Sequence, residues 1–301
     1  MYFHYQPVYI NNKICSLEAL LRFEDSSINI EDFVTCQKNK IEFDLMILQK
    51  VIEDIKESSF NCFSINISLL SLESKTFTYR CVELISKSKK RIILEITEHD
   101  KSIKFDDICN NINYIKINTG CKFALDDYGK GYANTELLVR LPIDIVKIDR
   151  SITERIKNSF SGFNLLKNII YQVVTILKKD IVVEGVEDAV EVKLLRNISK
   201  NIKCQGFFFA KPNSLSVISR DYNNVVENTF FMQSRVEESI ILKLEELIYQ
   251  LTIDENYVIN HKDYENIFYY EKTPQKIKKK AHKMLRRLSS SKVVFAEHII
   301  M

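Results

Sequence analysis

Eight short runs rich in β-branched and aromatic residues alternate with longer segments of helical period over the first two thirds of the chain. The strand candidates are Phe3 to Ile10, Ile14 to Phe23, Cys62 to Ser68, Arg91 to Thr97, Lys122 to Asp126, Ile143 to Asp149, Asp180 to Val186 and Ile202 to Ala210. Between them lie amphipathic stretches. Ile41, Leu45, Leu48, Ile52 and Ile55 recur at spacings of three and four, and Phe163 to Leu177 forms an apolar run broken by Lys167 and Gln172. Strands alternating with helices predict the α/β class with a parallel sheet. Eight of them fit a (β/α)8 TIM-like barrel better than an open doubly wound sheet, and no Gly-rich phosphate loop follows any early strand.

The alternation stops near residue 221, at the polar segment Asp221-Tyr222-Asn223-Asn224. We therefore expect a barrel over 1–221 and a small, mostly helical C-terminal extension over 222–301. In the extension, Ser234 to Leu251 places Val236, Ile240, Leu244, Leu247 and Leu251 on one helix face. Thr273-Pro274 is a helix start, with Thr as N-cap and Pro at the first helical position. The helix it opens is basic. Nine of the 43 Lys and Arg residues fall between Lys272 and Lys292, where there is no Asp or Glu, so the formal charge of +3 hides a net acidic remainder of the chain. That remainder is not the footprint of a general nucleic-acid surface. Ile277, Ala281, Met284, Leu285 and Leu288 line the face opposite Lys276, Lys279, Lys280, Lys283 and Arg287. Such a helix can contact nucleic acid, a membrane surface or an acidic partner. It can equally pack on its own domain with a solvated basic face, which is the usual fate of a charge run.

Other classes are excluded by composition. No apolar run approaches the roughly 18 residues of a spanning helix, and Tyr2-Phe3-His4-Tyr5 follows Met1 with no basic leader, so a cytoplasmic location is expected. The seven cysteines are scattered without a C-x-x-C pair and read as small reduced core residues; the five histidines are equally dispersed.

The chemistry is written at the strand ends. Asp126-Asp127-Tyr128-Gly129 follows the apolar run Lys122 to Leu125, and a turn there lets both carboxylates face one cavity, where they can ligate or bridge divalent cations. Taken alone, Asp-Asp before Gly is more often a solvated turn. Glu18, Arg22, Asn66, Glu95, Glu98, Lys147, Glu184, Glu187 and Gln205 stand at or near other strand ends. In a barrel these positions converge on the rim that carries active sites. Glu18, Glu95, Lys147 and Glu184 each interrupt an apolar strand, and a charge facing a barrel interior must be paired or bound to metal. One such residue would more often belong to a buried salt bridge; a succession of them favours metal.

Tyr5-Gln6-Pro7, Glu18-Ala19-Leu20-Leu21-Arg22, Asn66-Ile67-Ser68, Glu95-Ile96-Thr97-Glu98, Asp126 to Tyr132, Leu141 to Asp149, Glu184-Gly185-Val186-Glu187 and Gln205 to Pro212 stand in this order along the chain. This series resembles the ordered signature of EAL domains, the bacterial cyclic di-GMP phosphodiesterases, over about residues 2 to 213. The resemblance implies two Mg2+ or Mn2+ ions. Glu18, Asn66, Glu95 and Asp126 would hold one; Asp126 as bridge, Asp127 and Glu184 would hold the other. A water between them would attack a phosphorus of cyclic di-GMP, leaving linear pGpG. Lys147 would position that water, and Glu184 could instead be the general base. Glu98 would pin the loop Asp127 to Asn134, Arg22 and Gln6 would contact substrate, and Gln205 would hold the water or the metal shell. A homodimer through the barrel is a further implication.

The departures are small. Tyr128 stands where Phe is usual and Lys130 where a small residue is common, and the helix that usually precedes the first strand is absent. Two rival readings accompany the enzyme: a catalytically silent domain acting as nucleotide receptor or adaptor, and a regulator working through its basic tail.

Overall fold

The computed structural model describes residues 1–11, 13–97, 104–130 and 134–221, together with Glu246, Tyr249, Gln250 and Ile253. Its eight strands close into a barrel in sequence order: β1 (Tyr2–Ile10), β2 (Lys13–Arg22), β3 (Cys62–Ser68), β4 (Arg91–Thr97), β5 (Lys122–Tyr128), β6 (Ile145–Ile148), β7 (Asp180–Val183) and β8 (Lys203–Cys204). The expected barrel is present, with one topological refinement. β1 runs antiparallel to both β2 and β8, while β2 to β8 run parallel to their neighbours. Only Asn11 and Asn12 separate β1 from β2, which is enough for a hairpin and far too little for a parallel crossover. Asn11 takes φ 48°, a left-handed conformation that Asn tolerates.

Helices cover the barrel. After β2 come α1 (Ile30–Thr35) and α2 (Lys40–Asp54), whose N-caps Asn29 and Asn39 accept the backbone N–H of Asp32 and Glu42. Of the predicted face of α2, Leu45 and Leu48 are buried, as is Ile55 just past its end, while Ile41 and Ile52 are half-buried against the core; Val51 is buried beside them. α3 (Leu69–Leu72) and α4 (Lys75–Ser86) follow β3, and α5 (Phe105–Thr119) follows β4. α5 stops at Gly120, which takes φ 70° and donates its N–H to the Lys116 carbonyl. α6 (Asn134–Arg140) follows β5, and α7 (Arg150–Thr153) and α8 (Phe160–Ile170) follow β6. α8 continues as a π-helical turn over Tyr171–Ile176. α9 (Ala189–Ile198) opens on a capping box of Asp188 and Glu191, and α10 (Leu215–Asp221) follows β8.

β8 is shorter than the apolar run Ile202 to Ala210 suggests. A Cβ on Gly206 would lie 2.0 Å from the Val186 carbonyl oxygen, so the chain presses backbone against backbone there and turns. Phe208 donates to Val186 O, and Phe209 and Ala210 donate to Gly206 O. This turn sets Gln205 at the end of the barrel next to the residues after β7.

Among the described residues no helix is long and apolar enough to cross a membrane. The seven cysteines are free, and burial pushes the thiols of Cys81 and Cys204 up to about 12, as inert core residues require. The basic helix expected after Thr273 lies outside the described residues. Of the segment Ser234 to Leu251, Glu246, Tyr249 and Gln250 are helical, as is Ile253 beyond it. Tyr249 is 2% exposed, its ring 5.8 Å from that of Phe160 and 5.4 Å from that of Phe163. The C-terminal region thus contributes at least one aromatic ring to the packing of the barrel.

Candidate active site

Side chains alternate along a strand, so Glu18 on β2, Asn66 on β3, Glu95 on β4, Asp126 on β5 and Lys147 on β6 can all point into the barrel while their neighbours pack outward. They meet at Lys147, which is 2% exposed. Its Nζ lies 2.6 Å from Glu95 Oε2, 2.8 Å from Glu184 Oε1, 3.0 Å from Asp126 Oδ1 and 3.2 Å from Glu18 Oε2. Glu18 also accepts from Asn66 Nδ2 at 3.2 Å and Gln205 Nε2 at 2.8 Å.

Four carboxylates around one ammonium leave an excess of negative charge. Burial by itself would lower the Lys147 pKa, but Asp126, Glu18, Glu184 and Glu95 outweigh it and hold the ammonium well above its ordinary value. Burial raises Glu184 to about 8 against the pull of Lys147, and it raises Asp126 and Glu95 with help from the Glu18 charge. Glu18 goes the other way: burial would raise it, but Lys147 and the amides of Gln205 and Asn66 hold it below the usual range. The cluster can hold every acid ionised only if further positive charge enters.

The fit to divalent cations rests on the oxygens. Oxygens of Glu18, Glu95 and Asp126 lie within 4.8 Å of one another, as do oxygens of Asp126, Asp127 and Glu184, so Asp126 belongs to both groups. Asn66 Oδ1, Asp126 Oδ1 and Gln205 Oε1 are buried without a hydrogen-bond partner; the Asp126 oxygen makes only its ion pair with Lys147. Buried oxygen acceptors that lack donors, in an all-oxygen set, suit Mg2+ or Mn2+.

Asp126 and Asp127 can share a cavity because the strand is broken between them. Asp127 takes φ 53°, and the β5–β6 register shifts between Leu125 and Tyr128. In a regular strand adjacent side chains would face opposite sides. Left-handed backbone at a non-glycine residue costs about 1 kcal/mol, and Asp is among the residues that accept it. Lys130 Nζ lies 3.4 Å from Asp127 Oδ2.

A cavity of about 290 Å3 opens over the cluster, lined by Gln6, Glu18, Asp126, Lys147, Glu184 and Gln205 among others. Gln6 donates to the Ala210 carbonyl at 3.3 Å. Arg22 is not in the lining; it sits four residues beyond Glu18 at the end of β2 and donates to the Leu21 carbonyl at 2.7 Å. Glu98, expected to pin the loop after Asp127, lies outside the described residues, as do three residues of that loop, 131–133.

Three residues in and around the site, Arg150, Phe207 and Asp44, were given no role by sequence reasoning. Arg150 lines the cavity, pairing with Glu154 and, at 3.0 Å, with Glu187. Gly185, at φ 67°, makes room for it, since a Cβ there would lie 2.4 Å from Arg150 Cγ. Phe207 also lines the cavity. Asp44 of α2 is buried and accepts from Ser68 N at 2.8 Å and Ser71 Oγ at 2.7 Å, fixing the turn just beyond Asn66. The readable signal was an acid on the buried face of an amphipathic helix.

Comparison with known proteins agrees with this geometry. The EAL domain family model matches residues 1–212. A cyclic di-GMP phosphodiesterase, PdeA, of Borreliella burgdorferi is 34% identical over 136 residues, covering 43% of this chain and 20% of the relative. The cyclic di-GMP phosphodiesterase PdeR of Escherichia coli is 26% identical over 74% of this chain and 36% of the relative. The chain therefore spans only about a fifth to a third of these curated relatives. The crystal structure of an EAL domain protein from Listeria monocytogenes superposes with a TM-score of 0.64 at 27% identity, covering 73% of this chain and 92% of that one. A standalone EAL protein of Vibrio cholerae, solved with c-di-GMP bound, has the same fold, with a TM-score of 0.62 at 24% identity over 71% of this chain and 92% of that one. By its matched family model, its closed barrel and the convergence of the signature residues on one rim, this chain belongs to the EAL domain family.

Proposed function

We propose that this protein is a metal-dependent phosphodiesterase that hydrolyses cyclic di-GMP to linear pGpG. The observation that carries the reading is the pair of oxygen clusters sharing Asp126 beside a buried ammonium. In this reading Glu18, Asn66, Glu95 and Asp126 hold one Mg2+ or Mn2+, and Asp126, Asp127 and Glu184 hold a second. Bound there, two divalent cations supply Lewis-acid stabilisation of charge developing on the phosphate and acidify the attacking water. Lys147 orients that water and places a full positive charge beside the reacting phosphate, where low dielectric strengthens it. Glu184, whose Oε1 lies 2.8 Å from the Lys147 ammonium, can instead of ligating the second ion serve as the general base toward the water that Lys147 orients. Gln6 holds the substrate at the cavity mouth, and Arg22 awaits a ligand large enough to reach the end of β2. The relatives named for cyclic di-GMP hydrolysis support this substrate, and the protein acts on it as the barrel of residues 1–221.

The test is incubation of the protein with cyclic di-GMP and Mg2+ or Mn2+, followed by chromatography of the products. Wild type should yield pGpG, and Glu18→Ala or Asp126→Ala should yield none while unfolding cooperatively. Absence of product with either ion, or near-normal turnover in either variant, would overturn the assignment.

A further inference from the structure

We propose that the end of the barrel opposite the carboxylates holds a second site, one that binds a small phosphate-type anion. The two ends are separated by an apolar layer. Val8, Ala124, Ile145 and Val182 come from four strands, two of them on opposite sides of the barrel, and form a buried cluster of their own with Cys15 and Ile93 packed against it. Beyond that layer, at the starts of the parallel strands, the lining changes sign. Arg91 begins β4, Lys122 begins β5 and Lys203 begins β8.

These cations outnumber the acids they meet. Lys122 and Lys203 share a single oxygen, Asp180 Oδ2, at 3.3 and 3.0 Å. The next acid at this end, Asp144, is occupied by Lys116 at 2.6 Å. Arg91 has no carboxylate partner among the described residues, although its backbone N–H is fixed by the Asn61 carbonyl at 2.9 Å. Burial raises the Cys62 thiol, and the opposing pull on it comes from Arg91, Lys203 and Lys122, so all three cations are within electrostatic reach of one sulfur. Three cations facing one carboxylate mark a local anion-attracting field.

A formed cavity lies in that field. A half-open space of about 230 Å3 is lined by Ser16, Asn61, Cys62 and Arg91, with Cys15 and Ser59 completing its polar edge. Its walls are set by the chain. A register shift in the β1–β2 pairing, between Val8 and Tyr9, leaves Cys15 as the extra residue and brings it, with Ser16, to the cavity. On the other side Lys90 Nζ donates to the Ser58 carbonyl and holds the segment leading into β3. A guanidinium without a carboxylate, two serine hydroxyls and an asparagine amide are the donor types that recognise a tetrahedral oxyanion, the guanidinium through paired N–H groups. The cavity is large enough for a phosphate or the phosphoryl end of a small phosphomonoester. The apolar layer keeps this anion away from the metal-binding oxygens, so the site is separate from the hydrolytic one.

The experiment titrates metal-free protein, kept in EDTA, with inorganic phosphate and in a parallel arm with glycerol phosphate, at constant ionic strength, by calorimetry. Alongside it, the rate of maleimide labelling of Cys62 is followed by peptide mass spectrometry. Wild type should bind saturably and phosphate should slow labelling of Cys62. Arg91→Gln should weaken binding about tenfold or more and abolish the protection. Arg91→Lys should fall between, because it keeps the charge and loses the fork. Equal melting temperatures of wild type and Arg91→Gln without phosphate would show that the fold is intact, and Lys203→Gln, which acts through the field alone, provides a second variant should they differ. Tighter binding of one ligand than the other identifies the free anion or the monoester as the occupant. No saturable binding, equal binding by Arg91→Gln, or loss of binding in Glu18→Ala instead would overturn the proposal.

Discussion

With four carboxylates within 3.2 Å of its ammonium, Lys147 serves the metal-free protein first as a counter-ion. Removing it leaves buried acids facing one another, and stripping one partner from a buried charge cluster costs about 3–5 kcal/mol. Lys147→Met should therefore lower the unfolding free energy of the metal-free protein, measured by denaturant titration, by that order, and Mn2+ should recover part of the loss. In turnover the same variant should lose about a hundredfold or more in kcat with a smaller change in nucleotide affinity; equal losses in both would make Lys147 a substrate-holding residue. Glu184 gives a pH signature. Burial raises its folded pKa to about 8, above the ordinary carboxylate value, so the fold favours the protonated form. The stability it contributes is complete at low pH and is lost as pH rises through about 8. Melting temperature in EDTA should fall across that window, and fall less in Glu184→Gln; an equal slope in the two proteins would show that another group carries it. At this scale the acids and the lysine were readable because each breaks an apolar strand. Arg150 was not, because it follows its strand in an ordinary polar setting and joins the site only through Glu187 and the space left by Gly185.

Elements bring these residues together, and their ends matter more than their lengths. The register shift at Asp127 turns a two-sided pair of aspartates into a one-sided one, and the short β8 delivers Gln205 to Glu18 at 2.8 Å. The latter depends on Gly206, since a Cβ would meet the Val186 carbonyl at 2.0 Å and also its nitrogen at 2.4 Å. Gly206→Ala should destabilise by about 1–3 kcal/mol, as overpacking against fixed backbone does. It should also weaken divalent binding measured by calorimetry, because Gln205 moves with the turn. Wild-type metal affinity in a clearly destabilised Gly206→Ala would separate the turn from the site. Strand positions and the buried face of α2 followed from periodicity; the end of β8 did not, because its apolar run continues after pairing stops and only the contact with Val186 ends the strand.

For the whole molecule, closure of the barrel converts eight separate strand ends into one rim, and the C-terminal region touches that body through Tyr249. A chain ending near Thr273 keeps this ring and should retain hydrolysis and stability. One ending at Asp221 loses it and should be destabilised by about 1.5–3 kcal/mol, the value of burying one large side chain, seen as a lower melting temperature. Loss of hydrolysis in the longer truncation, while it remains monodisperse, would give the tail a place in the active site. The positions of the strands, their alternation with helices and the identities of the acids were determined by the sequence alone, because periodicity and charges in apolar runs are local properties; the antiparallel direction of β1 emerged only with the pairing of the closed barrel. Which oxygens share Lys147, that Asp126 belongs to two clusters, and that cations gather at the opposite end were decided by the tertiary structure. Those facts depend on distances between strands far apart in the chain, and only the closed barrel sets them.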